Sequence, residues 1–401
     1  SPLLRGRKAD LKGLLLENVL PFWEKNFIDF TKPGYRLNHD IYGNYRHSGI
    51  RTTVTQARML WFYSRLLRTP YAKPIHLKAA RWGFRYLRDF LWDKKYGGFF
   101  WSVHGESSRP VTEEKHLYVQ AFGLYALSEY FRSTGDKEAL KLAKDLFSLM
   151  ESKAHDKEHG GYREYFTRNW KEPPKDRVGP LGFTVKIKLM NTHLHLMEAT
   201  TSYFHIAPTS LVRKRLMEFI LIQSNTVVRK NAPACTDRYD RKWNPLKGAE
   251  NKRVSYGHDL ENIWLLQEAC AATQMPSSLL LDLWQGLADY SLRFGYDRTW
   301  GGFFDSGPIN RPADKLTKTW WVQAEALVCL LKMYCLTNKK RYLFGFQKTL
   351  HWIMRCQADW ENRDWFAVVR RDGTPEGDKA GPWKCAYHNG RALILCLETF
   401  K

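Results

Sequence analysis

The chain has 401 residues, 44% of them hydrophobic, and a formal net charge of +22. This composition predicts a globular protein with a sizeable core, and it excludes a bilayer-spanning helix because no apolar run approaches the roughly 20 residues required. The basic residues are spread along the chain without a long Lys/Arg block, so a basic outer surface is favoured over a nucleic-acid site.

The start of the chain and its cysteines carry information about the compartment. Residues 1–12 are short and basic, and they are either the remainder of a removed targeting segment or the lead-in to a first helix. Seven single cysteines, with neither a CxxC pair nor zinc spacing, indicate a reducing compartment. We expect a cytoplasmic protein, or alternatively one in an organelle such as a plastid, that is a monomer or weak homodimer with no nucleic-acid or membrane partner.

A phrase of the form Asp-x-x-x-Gly-Gly-aromatic recurs along the chain. Clear copies occupy 93–102, 156–166 and 297–307, and weaker ones occupy 40–46, 237–243 and 362–373. The glycines suit tight turns, and the aromatic residues suit a short strand or hairpin. Six copies at a long and regular spacing predict a repeat architecture.

Between these phrases the hydrophobic pattern is helical and of two kinds. Residues 139–150 carry one apolar stripe, which predicts an amphipathic outer helix, whereas 116–132 are apolar on most sides, which predicts a buried inner helix. The predicted inner helices are 52–68, 116–132, 190–205, 257–273, 319–335 and 386–399.

Six such units predict an all-α fold. We expect a single domain over residues 1–401, in which six helical hairpins close into an (α/α)6 barrel with short β-hairpins in the connecting loops. An open solenoid is the alternative. The two differ in one respect, because only closure brings polar residues of all six inner helices to one place.

Polar groups on the inner helices are the candidate site, because a buried helix avoids them unless they are paired or functional. One polar or aromatic group recurs per repeat: Arg58, Tyr118, His195, His258, Trp321 and His388. Further candidates share a helical face or a motif with these: Asn191 and Glu198 with His195, Glu261 with His258, Glu325 with Trp321, and Trp383 on the sixth inner helix with His388. Since Glu261 lies three residues after His258, its carboxylate is expected to orient that imidazole.

Structural roles compete with these interpretations. A single buried histidine is more often a satisfied core residue than a catalyst. Glu198 and Glu325 are as readily explained as ties between helices, and Arg58 as a structural cation. His193 points away from His195 by helix geometry, so this pair is a poor metal chelate.

Excluded motifs narrow the chemistry. The sequence has no GxGxxG after a strand, no GxxxxGK[ST], no HExxH and no GxSxG. We therefore expect neither a cofactor nor a metal. Histidine-based proton transfer remains, with Arg58 available to stabilise a developing oxyanion.

Six motifs together resemble one known family: TQARMLWFYS, LYVQAFGLYALSEY, MNTHLHLMEA, VSYGHDLENIWLL, KTWWVQAEAL and GPWKCAYHNGRA. The chain is similar, from about residue 15 to its end, to the N-acylglucosamine 2-epimerase superfamily, and within it to the cellobiose (mannobiose) 2-epimerases. The resemblance implies an (α/α)6 barrel, cofactor-free catalysis and a small-molecule sugar substrate epimerised at C2. Cys385-Ala386 departs from the pattern, because the disaccharide epimerases usually have a proline there.

The resemblance also implies roles for residues. His258 and His388 match the two acid/base histidines, and Trp321 and Trp383 match the stacking tryptophans. Arg58, Tyr118, Asn191, His195 and Glu261 match polar residues around the sugar, and we place Glu325 with them. Alternatives are an aldose–ketose isomerase acting on mannose or a related monosaccharide, a glycoside hydrolase on the same toroid, and a non-catalytic sugar- or protein-binding relative.

Overall fold

Twelve helices, counted over the described residues 6–32, 34–47 and 49–400 of this computed structural model, alternate between an outer and an inner layer. The inner helices are α2 (Thr53–Leu66), α4 (Leu117–Thr134), α6 (Met190–Phe204), α8 (Tyr256–Thr273), α10 (Trp320–Thr337) and α12 (Tyr387–Thr399). They confirm the predicted inner helices to within about two residues at each end.

The outer helices precede and separate the inner ones along the chain. They are α1 (Arg7–Gly13, continued by Leu14–Val19 and Leu20–Asn26), α3 (Pro74–Tyr86, continued by Leu87–Leu91), α5 (Lys137–Lys153), α7 (Ser210–Leu221, continued by Ile222–Thr226), α9 (Leu281–Phe294) and α11 (Lys340–Trp352, continued by Ile353–Gln357). Residues 7–12 thus belong to the first helix, while residues 1–5 lie outside the described residues. Over the described residues, none of the helices combines the length and apolar character needed to cross a bilayer.

Local sequence explains the two layers, as α4 and α5 illustrate. Helix α4 ends at Gly135, whose φ of 72° is readily adopted by glycine. The Asp136 carboxylate then caps α5 by accepting the backbone N–H groups of Glu138 and Ala139. Helix α5 buries only one stripe, whereas nearly every residue of α4 from Leu117 to Tyr130 is buried. This confirms the predicted outer and inner characters.

The inner helices form a closed ring. Each packs against the next in the order α2, α4, α6, α8, α10 and α12, and α12 packs back against α2. Helix α1 is the outer partner of α12, so the two ends of the chain meet. The open solenoid is therefore wrong, and the (α/α)6 barrel is confirmed.

Short antiparallel ladders join successive repeats at the end of the ring where the inner helices begin. The strands are β1 (Ile50–Thr52), β2 (Ser102–His104), β3 (Pro110–Thr112), β4 (Lys115–His116), β5 (Tyr165–Phe166), β6 (Ile187–Leu189), β7 (Arg238–Asp240), β8 (Arg253–Ser255), β9 (Ser306–Pro308), β10 (Lys318–Thr319), β11 (Val368–Val369) and β12 (Pro375–Glu376). Pairs β1–β2, β4–β5, β6–β7, β8–β9 and β10–β11 link neighbouring repeats, and backbone hydrogen bonds between His39 and Ala380 link the first repeat to the last. Local hairpins, as predicted, occur at β2–β3 and β11–β12.

The repeated turn has six copies, but the register of the weaker three was wrong. Equivalent bridges occur at 28–35, 92–99, 155–162, 228–235, 296–303 and 358–365. The phrases at 40–46 and 237–243 belong instead to a second loop type, in which Asp40 and Asp240 each accept two backbone N–H groups and an asparagine side chain. The copy at 362–373 begins a few residues too late.

Buried ion pairs fix four of these turns. In each, one aspartate oxygen accepts backbone N–H groups of its own turn, and the other pairs with a buried lysine 20 to 32 residues further on: Asp93–Lys115, Asp156–Lys188, Asp297–Lys318 and Asp359–Lys379. A lysine so buried requires such a partner. The turns therefore fix the position of the starts of the inner helices along the axis of the ring.

Candidate active site

A central cavity of about 230 Å3 opens where the six inner helices begin. All six repeats contribute to its wall, which is lined by Arg58, Tyr118, Asn191, His195, His258, Glu261, Trp320, Trp321, Trp383 and His388. Nine of the ten predicted site residues therefore meet in one place. Glu325 stands behind the wall against His388, and Trp320 is a lining residue that the sequence did not single out.

The rings of the two candidate histidines both contact one indole. The ring centroid of Trp321 is 4.8 Å from that of His258 and 5.7 Å from that of His388. Gly257 makes this approach possible, because a Cβ there would lie 2.5 Å from the Trp321 ring. The geometry required for two bases facing one small cavity is thus present.

A carboxylate holds His388 in a defined orientation. Its Nδ1 lies 2.6 Å from Glu325 Oε1, and the other oxygen of Glu325 accepts the Trp264 indole N–H at 2.8 Å. With Nδ1–H donated to the carboxylate, the proton-accepting nitrogen of neutral His388 is Nε2. This arrangement makes His388 a preorganised base.

Arg391 organises the carboxylates beneath the cavity and was missed in the sequence. Its Nη2 donates to Glu325 at 2.7 Å and to Glu261 at 2.9 Å, and its Nη1 contacts Glu198 and the Tyr387 hydroxyl. It lies three residues after His388 on a buried helix, which was the available signal. Three carboxylates share this one buried guanidinium.

The charges in this cluster divide unequally. Burial alone would raise the pKa of Glu325, but the Arg391 charge and the hydrogen bond from His388 outweigh it and lower the pKa to about 2. Burial and the neighbouring charge of Glu325 raise the pKa of Glu261 well above its ordinary value. Burial lowers the pKa of His388 to about 3 despite the hydrogen bond to Glu325. At neutral pH the site therefore holds an ionised Glu325 and a neutral His388.

Arg58 forms the opposite wall with Tyr118 and His195. Its Nη2 donates to the Tyr118 hydroxyl and its Nη1 to the Trp383 carbonyl, both at 3.1 Å. His195 Nδ1 lies 2.9 Å from the Glu198 carboxylate, so the predicted shared face is confirmed. Burial lowers the pKa of His195 to about 4, against this hydrogen bond, which leaves it neutral at pH 7.

His258 differs from the other cavity histidines. The expectation that Glu261 orients it is wrong, because the Glu261 carboxylate is directed to Arg391. Among the described residues, neither ring nitrogen of His258 has a hydrogen-bond partner, and the residue is only half-buried. Burial nevertheless lowers its pKa, with opposing contributions from Asp237, Asp305 and Glu325.

Trp383 lies at the mouth of the cavity. The sequence analysis placed it on the sixth inner helix, but it belongs to the loop before α12. Its side chain is 44% exposed, and its ring centroid is 6.1 Å from those of Trp101 and Tyr118. An indole face is therefore available to a ligand that extends beyond the cavity.

Two further groups have structural explanations. His193 faces outward as predicted, where its Nε2 accepts the Tyr162 backbone N–H at 2.9 Å. Donor atoms of Glu261, Glu325 and His388 lie within 4.8 Å of one another, a spacing that suits a metal ion. The Arg391 guanidinium already bonds to both carboxylates there, and its charge opposes a second cation. That no metal takes part remains a prediction.

Chemically, the cavity combines two imidazoles, a buried cation and a set of hydrogen-bonding groups. A neutral imidazole positioned by a carboxylate can remove a proton from carbon if the resulting anion is stabilised. Arg58 and the starts of six inner helices supply positive charge or partial charge near the same space. The site is suited to proton abstraction next to a carbonyl group.

Comparison with known proteins gives consistent matches over the whole chain. Residues 34–392 match the family model described as N-acylglucosamine 2-epimerase (GlcNAc 2-epimerase). The chain is 31% identical over 406 residues to the cellobiose 2-epimerase of Ruminococcus albus, covering 98% of this chain and 97% of that protein. It is 23% identical over 400 residues to the N-acylglucosamine 2-epimerase of Homo sapiens, covering 96% and 88%. The solved structure of the cellobiose 2-epimerase from Spirochaeta thermophila superposes with a TM-score of 0.88 at 32% identity, covering 99% and 97%.

Proposed function

Because the chain belongs to the N-acylglucosamine 2-epimerase family and is a carbohydrate 2-epimerase, we propose that it interconverts glucose and mannose at the reducing end of a disaccharide. The proposed catalysts are His258 and His388. The observation that carries this proposal is the pair of imidazoles that contact Trp321 and line the same cavity. Two bases at separate positions are what inversion of a carbon centre requires.

The proposed reaction proceeds through an enediolate. One histidine removes the C2 proton of the open-chain aldose, the electron pair of the C2–H bond forms the C1–C2 double bond, and the π pair of the C1 carbonyl moves onto its oxygen. The second histidine, which must be an imidazolium when the sugar binds, then delivers a proton to the opposite face of C2 and becomes neutral. In the reverse direction the two exchange roles.

Charge stabilisation is assigned to the opposite wall. Arg58 is buried and lies between Tyr118 and the Trp383 carbonyl, so its guanidinium is fixed without a carboxylate partner in the described structure. A cation that is not neutralised locally can stabilise the developing oxyanion. Because neutral His195 donates its Nδ1–H to Glu198, its Nε2 can accept a hydrogen bond from a hydroxyl group of the same sugar.

A disaccharide is favoured by the geometry of the mouth. The cavity of about 230 Å3 suits one sugar ring, and the exposed indole of Trp383 continues outward from it. A second ring linked to the first would lie over this apolar face. The greater similarity to cellobiose 2-epimerases than to the human N-acylglucosamine enzyme points the same way.

The test is incubation in D2O with cellobiose, mannose and N-acetylglucosamine in parallel, followed by chromatography and NMR at C2. We expect deuterium at C2 and the 2-epimer from cellobiose, with slower conversion of the monosaccharides. Formation of a ketose would favour an aldose–ketose isomerase, and release of monosaccharides from cellobiose would favour a hydrolase. Absence of exchange in all three sugars would contradict the proposal and favour a non-catalytic role.

A further inference from the structure

His258 borders two cavities, whereas His388 borders one. A second cavity of about 220 Å3 lies beside the central one between the third, fourth and fifth repeats, and His258 is common to the walls of both. Most of its other lining residues are polar, among them Thr236, Asp237, Arg253, Ser255, Asp305 and Ser306. His388 lines the central cavity but not this one. A sugar in the central cavity therefore leaves one side of His258 open to water.

The hydrogen bonding of the two imidazoles also differs, because His388 is held by a buried network and His258 is not. His388 is 6% exposed, and its Nδ1 is bound to Glu325, which Trp264 and Arg391 hold in turn. A proton on His388 is enclosed by this network once substrate fills the cavity. His258 has no hydrogen-bond partner among the described residues, is half-buried, and lines the second cavity as well.

The second cavity also contains proton acceptors close to His258. Asp237 and Asp305 both line it and both favour the protonated form of that histidine. Arg238, Glu250 and Arg253 line the same space, and Glu325 faces His258 from the side of the central cavity. Carboxylates in a water-accessible pocket are suitable carriers between imidazole and solvent.

We propose that His258 exchanges its proton with solvent through this second cavity while the sugar is bound, whereas His388 retains the proton it removes. The proposal rests on the two-histidine mechanism given above. In each direction the C2–H bond breaks as an N–H bond forms on one histidine, and the electron pair is held in the enediolate. An N–H bond of the other, protonated histidine then breaks as the new C2–H bond forms. The difference is the fate of that proton: imidazolium N–H at His258 is replaced by N–D from D2O, while N–H at His388 is not.

This asymmetry has a measurable consequence. When His258 removes the proton and the enediolate reverts, the residual substrate gains deuterium. When His388 removes it and the enediolate reverts, the residual substrate keeps hydrogen. One of the two epimers should therefore acquire deuterium at C2 ahead of its conversion, and the other should not.

The experiment starts separately from cellobiose and from its 2-epimer, in D2O, and is quenched at low conversion. Mass spectrometry and NMR then measure C2 deuterium in residual substrate and product. We expect deuterated product in both directions, with several-fold more deuterium in the residual pool of one epimer. Equal labelling of both residual pools, or labelling of neither, would overturn the inference. Unlabelled product in both directions would instead contradict the proposed two-base reaction itself.

Asp305→Asn tests the route. The side-chain oxygen of asparagine can still accept the hydrogen bond that the Thr319 hydroxyl donates to Asp305 at 3.0 Å, and the ion pair that is lost is with the exposed Lys315, so the local structure is expected to persist. The ratio of residual-pool labelling to conversion should fall several-fold. Asp145→Asn, on the exposed face of α5, is the matched control and should leave the ratio unchanged. An unchanged ratio in Asp305→Asn would overturn the assignment of the second cavity as the route.

Discussion

At the end of the ring where the inner helices begin, a cavity of about 230 Å3 holds three histidines and Arg58. At the opposite end a larger cavity of about 330 Å3 holds arginines, a lysine and glutamates. On every inner helix, a residue at the first cavity or in the network beneath it lies seven positions before a residue that lines the second. The six pairs are Arg58 and Arg65, Tyr118 and Tyr125, His195 and Ser202, Glu261 and Glu268, Glu325 and Lys332, and Arg391 and Glu398.

A shift of seven residues is about two helical turns, or roughly 10 Å along the axis on nearly the same face. The ring geometry therefore brings polar residues together twice. At the far end they neutralise one another in ion pairs, such as Arg65–Glu398 and Lys332–Glu268, both at 2.6 Å. At the near end, where the inner helices begin, some of the cations and imidazoles that face the cavity have no carboxylate partner in the described structure. The larger volume does not mark the cavity suited to catalysis. That cavity is distinguished by titratable groups that are not neutralised by ion pairs.

The largest expected effect is on catalysis at the near end. His388→Ala, or His258→Ala, should reduce kcat by about 10²- to 10⁴-fold, because each removes one of the two acid/base groups. His351→Ala, on the exposed face of α11, is the matched control and should retain activity. Steady-state epimerisation of cellobiose measures all three variants, with circular dichroism to check the fold. Near-normal turnover in either cavity variant would contradict the two-base assignment.

The next largest effect is on stability. Arg391→Leu leaves three buried carboxylates without their shared cation, so the free energy of unfolding should fall by about 3–5 kcal/mol. Arg65→Leu, in the partly exposed pair at the far end, should cost about 1 kcal/mol or less. Urea denaturation of both variants makes the comparison, and Arg391→Lys should lie between Arg391→Leu and the parent protein. Equal losses at the two ends would refute the distinction between them.

Acid should affect the core around the near end before it affects the ion pairs at the far end. Burial lowers the pKa of five histidines to about 3 or about 4, namely His39, His116, His193, His195 and His388. Below their ordinary pKa of about 6.5 the unfolded chain binds protons that the folded chain does not, so the free energy of unfolding should fall as pH drops from 6.5 towards 4. Each group contributes up to about 1.4 kcal/mol per pH unit.

His193→Gln isolates one of these contributions. Gln120 and Gln323 occupy the equivalent position in other repeats, where their side-chain oxygens accept the corresponding backbone N–H at 2.8 Å. The variant should therefore fold normally and reduce the pH slope of unfolding free energy by about 1.4 kcal/mol per unit near pH 5. Urea denaturation at pH 7, 6 and 5 measures it. An unaltered slope would show that His193 is protonated in the folded state.

The smallest effect concerns one pair at the far end. A double-mutant cycle with Arg65→Ala and Glu398→Ala should give a coupling energy of about 0.2–1 kcal/mol, because both side chains remain partly exposed. Turnover of cellobiose should be unchanged in both single variants. A large loss of kcat would show that the far end takes part in catalysis.

Local sequence patterns were sufficient to predict much of this protein. The 3.6-residue periodicity located the inner helices, since burial of a helix depends on residues close together in the chain. The glycine-rich turns indicated repetition, and repetition implied a ring in which one face of each inner helix points to a common centre. His258, His388 and seven other predicted residues were found in this way, with the family resemblance assigning their roles.

Which groups contact one another was decided only by the tertiary structure. Arg391 binds glutamates from three other helices, Glu261 faces that arginine and not His258, and Trp383 lies on a loop at the mouth. These contacts depend on the rotation and height of helices whose contacting residues are 66 to 193 positions apart in the chain, which the Asp–Lys pairs and the ladders between repeats fix. The sequence by itself determined which faces are buried and which chemical groups they carry. Closure of the ring decided which of those groups neutralise one another and which remain free to react.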